Sequence, residues 1–536
     1  MRTTRRLAGV LALIALAASA LFAGGAAEEG PTAEAVTPVV ERSGTITISL
    51  VAGPGSQDAW QAVADGYQAI HPNVRVNVEL KPTEGIGDWV RTQFTDPNPT
   101  ADLININYAH AYKGDRAVNF MEYANQDSPY SDGRWIDQFN FELQTKDLAT
   151  NEWDSLSLES VQVLWVYNRT IFDDVGISPP STWDEFVEVA EALEAAGYQP
   201  LAVAGDFNSF WAGAMGWLAQ IYVDQTTRSM INVYRAQPGD YNFDPDVDGV
   251  WQYDPSDPFN DDPWKVNTNK SRVFKAILEG DYRGDTEGLK TVWANMARMF
   301  PQYAGGDAFF GTTDAVPLFY QGRAAILLDG AWRLPLFKND MDKLAAGEEI
   351  VSGERTIEGV QRFEIGTFNM PSMEGPGIEA SARTIEVPVG FIGAIKKNQA
   401  QSDLVADFLM YYSSSEGFSR FMSAGLEGGW TPAGPPLVHG VELPDEYALM
   451  FEDLEFIGNV QKSYGASMAR GAPADVQESL REWYSYTQDL LTGRISIDRW
   501  ATLHQENIMR YIDVSMRSEN VSRSDIENPQ NTPTGE

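Results

Sequence analysis

The stretch Tyr167–Phe186, YNRTIFDDVGISPPSTWDEF, carries several structural signals in close succession. The run VQVLWVYN at 161–168 is apolar, β-branched and aromatic, and reads as a strand ending at Tyr167–Asn168. RTIFDD reads as a one-turn helix, and Pro179–Pro180 stops it. Thr182 then caps the helix WDEFVEVAEALEAAG, with Glu185 three residues on completing a capping box, and Gly197 closes it. QPLAVAG returns as a short strand. Trp183 and Phe186 are expected to pin the helix to the sheet rather than to touch a ligand.

The same alternation recurs outward. GTITISLVA at 44–52 predicts a strand, and DAWQAVADGYQAI a helix with Trp60, Val63, Tyr67 and Ile70 on one face. Pro72 ends it, VRVNVEL is a second strand, DWVRTQF a helix and ADLININY a buried third strand. Strand–helix–strand order of this kind means parallel pairing through right-handed crossovers. Residues 206–223 are aromatic and helical, and residues 236–270 form an Asp-, Pro- and Asn-rich insertion. Further strands are expected in GRAAILLDGAW, FEIGTFNMP and VPVGFIGAI. A helix follows over QSDLVADFLMYYSSSEGFSRFMSAG, the chain is mainly helical from Pro444, and the last residues (516–536) are expected to be disordered. No repeat of solenoid period is present.

A chain of 536 residues is long enough for two or more domains. Arg2, Arg5 and Arg6 followed by the apolar run Leu7–Ala20 and small residues read as a signal peptide over 1–27, cleaved within Ala23–Ala27. Residues 28–43 read as a flexible leader. The chain has no cysteine, so neither disulfides nor a lipid-modified cysteine are available, and a soluble secreted protein is expected, periplasmic or extracellular. A net charge of −37, from 76 acidic against 39 basic residues, argues against nucleic acid and anionic membranes as partners. A neutral ligand is the easiest fit, and solubility alone also accounts for the charge.

Histidines 71, 110, 439 and 504 have no metal-ligand spacing, and no nucleophile elbow or phosphate-binding glycine loop is present. The abundant carboxylates leave a glycosidase-type pair open without marking one. DPDVDG at Asp244–Gly249 opens like a calcium loop, but Pro255 stands where a bidentate Glu is required; a solvated acidic loop is the plainer reading. The informative residues are the 15 tryptophans. Trp60, Trp211, Trp332 and Trp430 fall after expected strands or at helix starts, where open α/β sheets bind ligands. Aromatic faces there suit sugar rings, with Asn105, Asn107, Tyr108, Asn208 and Asp329 as hydrogen-bonding partners.

YNRTIFDDVGISPPSTWDEFVEVAEAL resembles a hallmark segment of the bacterial extracellular solute-binding proteins of the sugar (maltodextrin-like, family 1) type, which serve ABC importers. IHPNVRVNVEL, ADLI, GRAAILLDGAW, VADFLMYYSSSEGFSRFM and GGWTPA resemble further family segments in the same order, so the resemblance covers roughly residues 44–515. It implies an α/β, two-lobe periplasmic-binding-protein fold of type II, each lobe an open, mainly parallel sheet flanked by helices, with a ligand cleft between. Lobe one would hold 44–158 plus 391–455, and lobe two 159–390 plus 456–515. Trp332 matches the family's stacking tryptophan. Asn107 and Tyr108 follow the third strand without the family's acid. Asn208 and Trp211 match a contact region loosely, Asp58 follows the first strand, and Trp430 and Asp329 complete the expected site. The implied function is capture of a sugar or oligosaccharide by a monomer for an ABC permease, with no cofactor, metal or catalytic residue. A secreted carbohydrate-active enzyme and a sensory binding protein on the same fold are the alternatives. The 236–270 insertion departs from the family pattern; it either narrows the cleft or decorates lobe two.

Overall fold

The structure, a computed structural model, describes residues 41–109, 113–147, 151–352, 355–452, 454–462 and 464–536. The expected signal peptide, most of the leader and His110 lie outside the described residues.

The chain begins with β1 (Ser43–Ile48), β2 (Asn73–Val78) and β3 (Leu103–Asn105). It then crosses to β4 (Glu159–Asn168), β5 (Gln199–Ala202) and β6 (Ala324–Gly330). A small hairpin of β7 (Val351–Ser352) and β8 (Arg355–Thr356) precedes β9 (Ile365–Phe368) and β10 (Glu386–Val389), and β11 (Ile392–Ala394) lies back beside β3. The first sheet has the order β11-β3-β1-β2, with β1 parallel to both β2 and β3. The second has the order β10-β4-β6-β5, with β9 also on β4. There only β5 and β6 run parallel, because β4 enters from the other sheet and meets β6, β9 and β10 antiparallel. Both sheets are open.

The capping box forms as its sequence requires. Thr182 Oγ1 accepts the Glu185 N–H at 3.3 Å, and the Glu185 carboxylate accepts the Thr182 N–H at 3.1 Å. The helix Trp183–Ala195 buries Trp183 and Phe186, and Phe186 sets its ring edge against Trp165 of β4 at 4.9 Å. In the helix Ser56–Ile70, Trp60, Val63 and Tyr67 are buried as expected, while Ile70 at its end is exposed. Trp60 lies between Tyr412 and Phe421 and is a packing residue. The serine break splits the late helix in two, Gln399–Tyr412 and Ser415–Glu427, with the Ser414 hydroxyl capping the second.

VPVGFIGAI is not one strand. Gly390 (φ 124°) and Phe391 (φ 49°) interrupt it, so β10 belongs to the second sheet and β11 to the first. Two other segments cross beside it. Leu156 pairs with Ile392 just before β4 begins. Residues 433–438 run alongside, with the Ser160 N–H donating to Pro435 O at 3.1 Å and the Leu437 N–H to Leu158 O at 2.8 Å.

One apolar core packs on the first sheet and includes Ile46, Trp135, Trp153, Phe408 and Phe421. Another fills one face of the second sheet around Trp165, Trp183, Trp293 and Trp483. Helix Asp445–Phe451, expected with the first sheet, instead buries Phe451 in the core on the second sheet's other face. The tail 516–536, expected to be disordered, is ordered. Met516, Val521 and Ile526 are buried, and the Asp525 carboxylate accepts from Ser522, Thr534 and Gly535. The insertion has no regular element before the helix Lys270–Glu279, and Arg383 anchors it by donating to Asp261, Asp224 and Pro258 O.

Candidate ligand site at the crossing strands

The register of the crossing segments puts the carboxyl ends of both sheets on the same boundary. Asn105, the last residue of β3, is opposite Ile392, and Gly330, the last residue of β6, is opposite Val163 in the first half of β4. Ligands of open α/β sheets sit at such ends.

On the first-sheet side, Asn105 is a frame residue. Its carbonyl oxygen accepts the Val51 N–H at 2.8 Å, and its amide donates to Gly390 O at 3.1 Å, joining the loop after β1 to the crossing. The Ile106 N–H donates to Phe391 O at 2.9 Å, which ties the turn carrying Asn107 and Tyr108 to the same crossing. Asn107 Oδ1 is buried with no hydrogen-bond partner among the described residues. Tyr108 is half-buried, with its ring edge beside Gly87. On the helix Ile86–Thr95, which also holds Gly87, Trp89 carries the Lys81 ammonium over its ring at 5.0 Å. Asp58 is exposed and sits against Gly428, next to Gly55. Trp430 closes on the other side of Gly55: its N–H donates to Gly425 O at 2.7 Å, and its half-buried ring meets Phe421 edge-on at 5.4 Å.

On the second-sheet side, β5 and β6 run parallel, so the segments after them are neighbours. Asp206 caps the helix Phe207–Ala212 by accepting the Asn208 N–H at 3.0 Å, while its other oxygen is buried without a partner among the described residues. The Asn208 side chain is exposed. Trp211 is half-buried and its indole N–H has no partner among the described residues. Arg470 holds it in place, donating to Trp211 O at 2.8 Å with the guanidinium over the ring at 5.9 Å. Burial pulls the Arg470 guanidinium below its ordinary value, and Asp475 at 2.7 Å opposes the shift. Trp332 follows β6 and is half-buried. Its ring lies over Gly330, where a Cβ would stand 2.0 Å from it, so position 330 admits only glycine while the ring lies there. Trp217 meets it edge-on at 6.1 Å.

Asp329 does not offer a free carboxylate. It is buried, accepts Arg333 Nε–H at 2.7 Å and the Gly330 N–H at 2.8 Å, and so braces the turn that carries Trp332. Asp329 lies in β6 and Arg333 opens the next helix, so no helical periodicity in the sequence marks that pairing. Phe391, Trp89 and Trp217 were missed from sequence. The Gly-Phe pair inside an otherwise regular alternation is the signal for the first.

No group of three or more His, Asp or Glu among the described residues is placed to hold a metal. In the calcium-like stretch, the Asp248 oxygens accept Asn267 N–H at 2.7 Å, Asn267 Nδ2–H at 2.9 Å and Asp244 N–H at 2.8 Å, which closes a turn.

The family model described as bacterial extracellular solute-binding protein matches residues 53–353, more than half of the chain. A multiple sugar-binding protein of Streptococcus mutans is 22% identical over 36% of this chain and 37% of its own length. An uncharacterized ABC transporter extracellular-binding protein of Pyrococcus horikoshii is 25% identical over 35% and 43%. The matches thus span less than half of either relative. Among solved structures, a family 1 extracellular solute-binding protein from Bifidobacterium longum subsp. infantis superposes with a TM-score of 0.54 at 14% identity, covering 87% of this chain and 99% of that one. A cyclic α-maltosyl-1,6-maltose binding protein from Arthrobacter globiformis superposes with a TM-score of 0.53 at 16% identity, covering 88% and 99%. At these identities the superpositions show a shared fold. No helix among the described residues is long and apolar enough to cross a membrane.

Proposed function

The chain belongs to the bacterial extracellular solute-binding protein family, and from that premise we propose that it captures a sugar or oligosaccharide outside the cytoplasm and delivers it to an ABC permease, without turnover. The two sheets, each with its own core, are the cores of two lobes that close on the ligand about the crossing strands. The observation that carries this reading is Trp332. It is a half-buried indole held over Gly330 at a strand end, buttressed by Trp217 and by the Asp329–Arg333 pair. A braced aromatic plate binds the apolar face of a sugar ring and loses little side-chain entropy in doing so. Asn107 Oδ1, the Trp211 indole N–H and the second oxygen of Asp206 are buried polar atoms without partners among the described residues, suited to ligand hydroxyls. The names of the Streptococcus and Arthrobacter proteins, which bind sugars, support the ligand class.

The test is a thermal-shift screen against mono- and oligosaccharides, followed by calorimetry and chromatographic recovery of the ligand. A ligand at 100 times its Kd stabilises by about 2.7 kcal/mol, which raises Tm by ~2–3 °C in a chain of this size. Trp332→Ala loses that shift and keeps the Tm of the ligand-free protein within ~2 °C. A shift retained in the variant overturns the assignment of Trp332, and a sugar recovered cleaved overturns binding without turnover.

A further inference from the structure

The insertion at 236–270 does more than decorate the half that carries it. Arg383, just before β10, clamps it through Asp261 and Pro258 O, and Arg228 donates to Asp257 O at 3.0 Å. Both arginines belong to the second-sheet half. A few residues later the same segment joins the other core. Trp264 packs on Phe141 with ring centroids 4.5 Å apart, and Phe141 packs on Trp153 of the first-sheet core at 5.1 Å. The Trp264 indole donates to Gln144 O at 2.9 Å. From the first half, Lys146 reaches back, donating to Asn267 Oδ1 at 2.8 Å and to Pro263 O at 3.3 Å. Lys462, on the second half, spans the same seam between Asp262 at 2.9 Å and Glu142 O at 2.8 Å.

The far anchor of this bridge is the hinge itself. The Gln144 amide donates to Ser157 O at 2.7 Å and its oxygen accepts the Ser157 N–H at 3.0 Å. Ser157 lies directly before β4, and its hydroxyl accepts the Phe391 N–H at 3.2 Å. Trp264, Gln144, Ser157 and Phe391 therefore form a continuous chain of contacts from the insertion into two of the crossing segments.

We infer that the insertion is a strap across the hinge, whose Trp264 contact biases the equilibrium between relative orientations of the two halves. This rests on the two-lobe closure proposed above. If the halves rotate about 156–159 and 389–392, a segment bonded to both must slide or release, so its contacts enter the free energy of closure directly. Its loss adjusts apparent ligand affinity without altering any group that touches the ligand.

Because the chain has no cysteine, the strap is testable by spin-label distances with no background labelling. The exposed positions Gln61 and Glu188, on the helices Ser56–Ile70 and Trp183–Ala195, place one label on each half as Gln61→Cys and Glu188→Cys. Distance distributions are recorded without any sugar, in this background and with Trp264→Ala or Lys146→Met added. Losing an aromatic pair and a hydrogen bond lowers the population at the original separation relative to other separations by about tenfold in Trp264→Ala, and less in Lys146→Met. If Trp264→Ala fails to fold by circular dichroism, Lys146→Met decides alone. Distributions of folded variants that overlay the parent's overturn the strap. Failure to find a binding sugar bears on the proposed function and leaves this readout unchanged.

Discussion

Glu386 lies on β10, directly in a crossing segment, and is 2% exposed. One carboxyl oxygen accepts the Ser160 hydroxyl at 3.1 Å, and the other is buried with no partner among the described residues. The nearby Lys462 ammonium favours the charged form but gives its bonds to Glu142 O and Asp262. Burial dominates and pushes the carboxyl up from 4.5 to about 7. A carboxyl whose folded value is raised binds its proton more tightly in the native state. Below pH 4.5 both states hold the proton and the native protein bears no penalty. As pH rises through 7, burying the charge costs stability, up to about 3 kcal/mol at ~1.4 kcal/mol per pH unit.

Glu386→Gln removes that dependence and keeps an acceptor for Ser160. The new amide needs a partner of its own at every pH, so we expect a net gain of about 1–2 kcal/mol at pH 8 and a net loss of about 1–2 kcal/mol near pH 4.5. With unfolding entropy of ~2.1 cal/mol/K per residue, 536 residues give ~1 kcal/mol/K, so the gain appears as ~1–2 °C in Tm. The assay is differential scanning calorimetry of both proteins across pH 4.5–8, taking the difference so that every other titrating group cancels. A difference that stays flat across the range, or a variant less stable at pH 8, refutes the burial argument.

Other perturbations follow from single contacts. Gly434→Ala puts a Cβ 1.7 Å from Ser160 O in a crossing segment, and we expect a loss of more than ~2 kcal/mol, seen as a lowered urea midpoint. Arg383→Met leaves Asp224 and Asp261 as uncompensated buried carboxylates and costs about 3–5 kcal/mol; an unchanged melting curve would sink that account. Thr182→Ala removes one half of the capping box and lowers stability by about 1 kcal/mol, whereas Thr182→Ser restores most of it.

Local signals carried most of the fold. The Thr182–Glu185 box, the proline at 72 and the alternation in β1 and β4 each act within a few residues, and each element stands where those signals place it. What the sequence did not disclose depends on partners far along the chain. The tail is ordered because Asp525 collects bonds from Ser522, Thr534 and Gly535, and because Ile526 reaches a core built by residues near 231–282. Helix Asp445–Phe451 has the same character as its neighbours in sequence, and only the apolar face of the second sheet decides where it docks. Trp264 looks like one more aromatic in an acidic loop until Phe141 and Gln144 are placed beside it.

The candidate site divides along the same line. Composition and strand ends point to Asn105, Asn107, Asp329 and Trp332 alike, since all are polar or aromatic residues at carboxyl ends. The structure separates them by whether their polar atoms are already occupied. Asn105 and Asp329 spend their side chains on Val51, Gly390 and Arg333, so they position the walls. Asn107 Oδ1 and the Trp211 indole N–H are buried and have no partner among the described residues, and a buried polar atom without a partner costs about 1–3 kcal/mol until a ligand or water supplies one. If the proposed site holds, selectivity would rest on these groups, because a ligand lacking the matching hydroxyl would leave them unpaired. The side chains of Asn105 and Asp329 are already engaged within the protein, so in the proposed site they would fix geometry rather than discriminate among ligands.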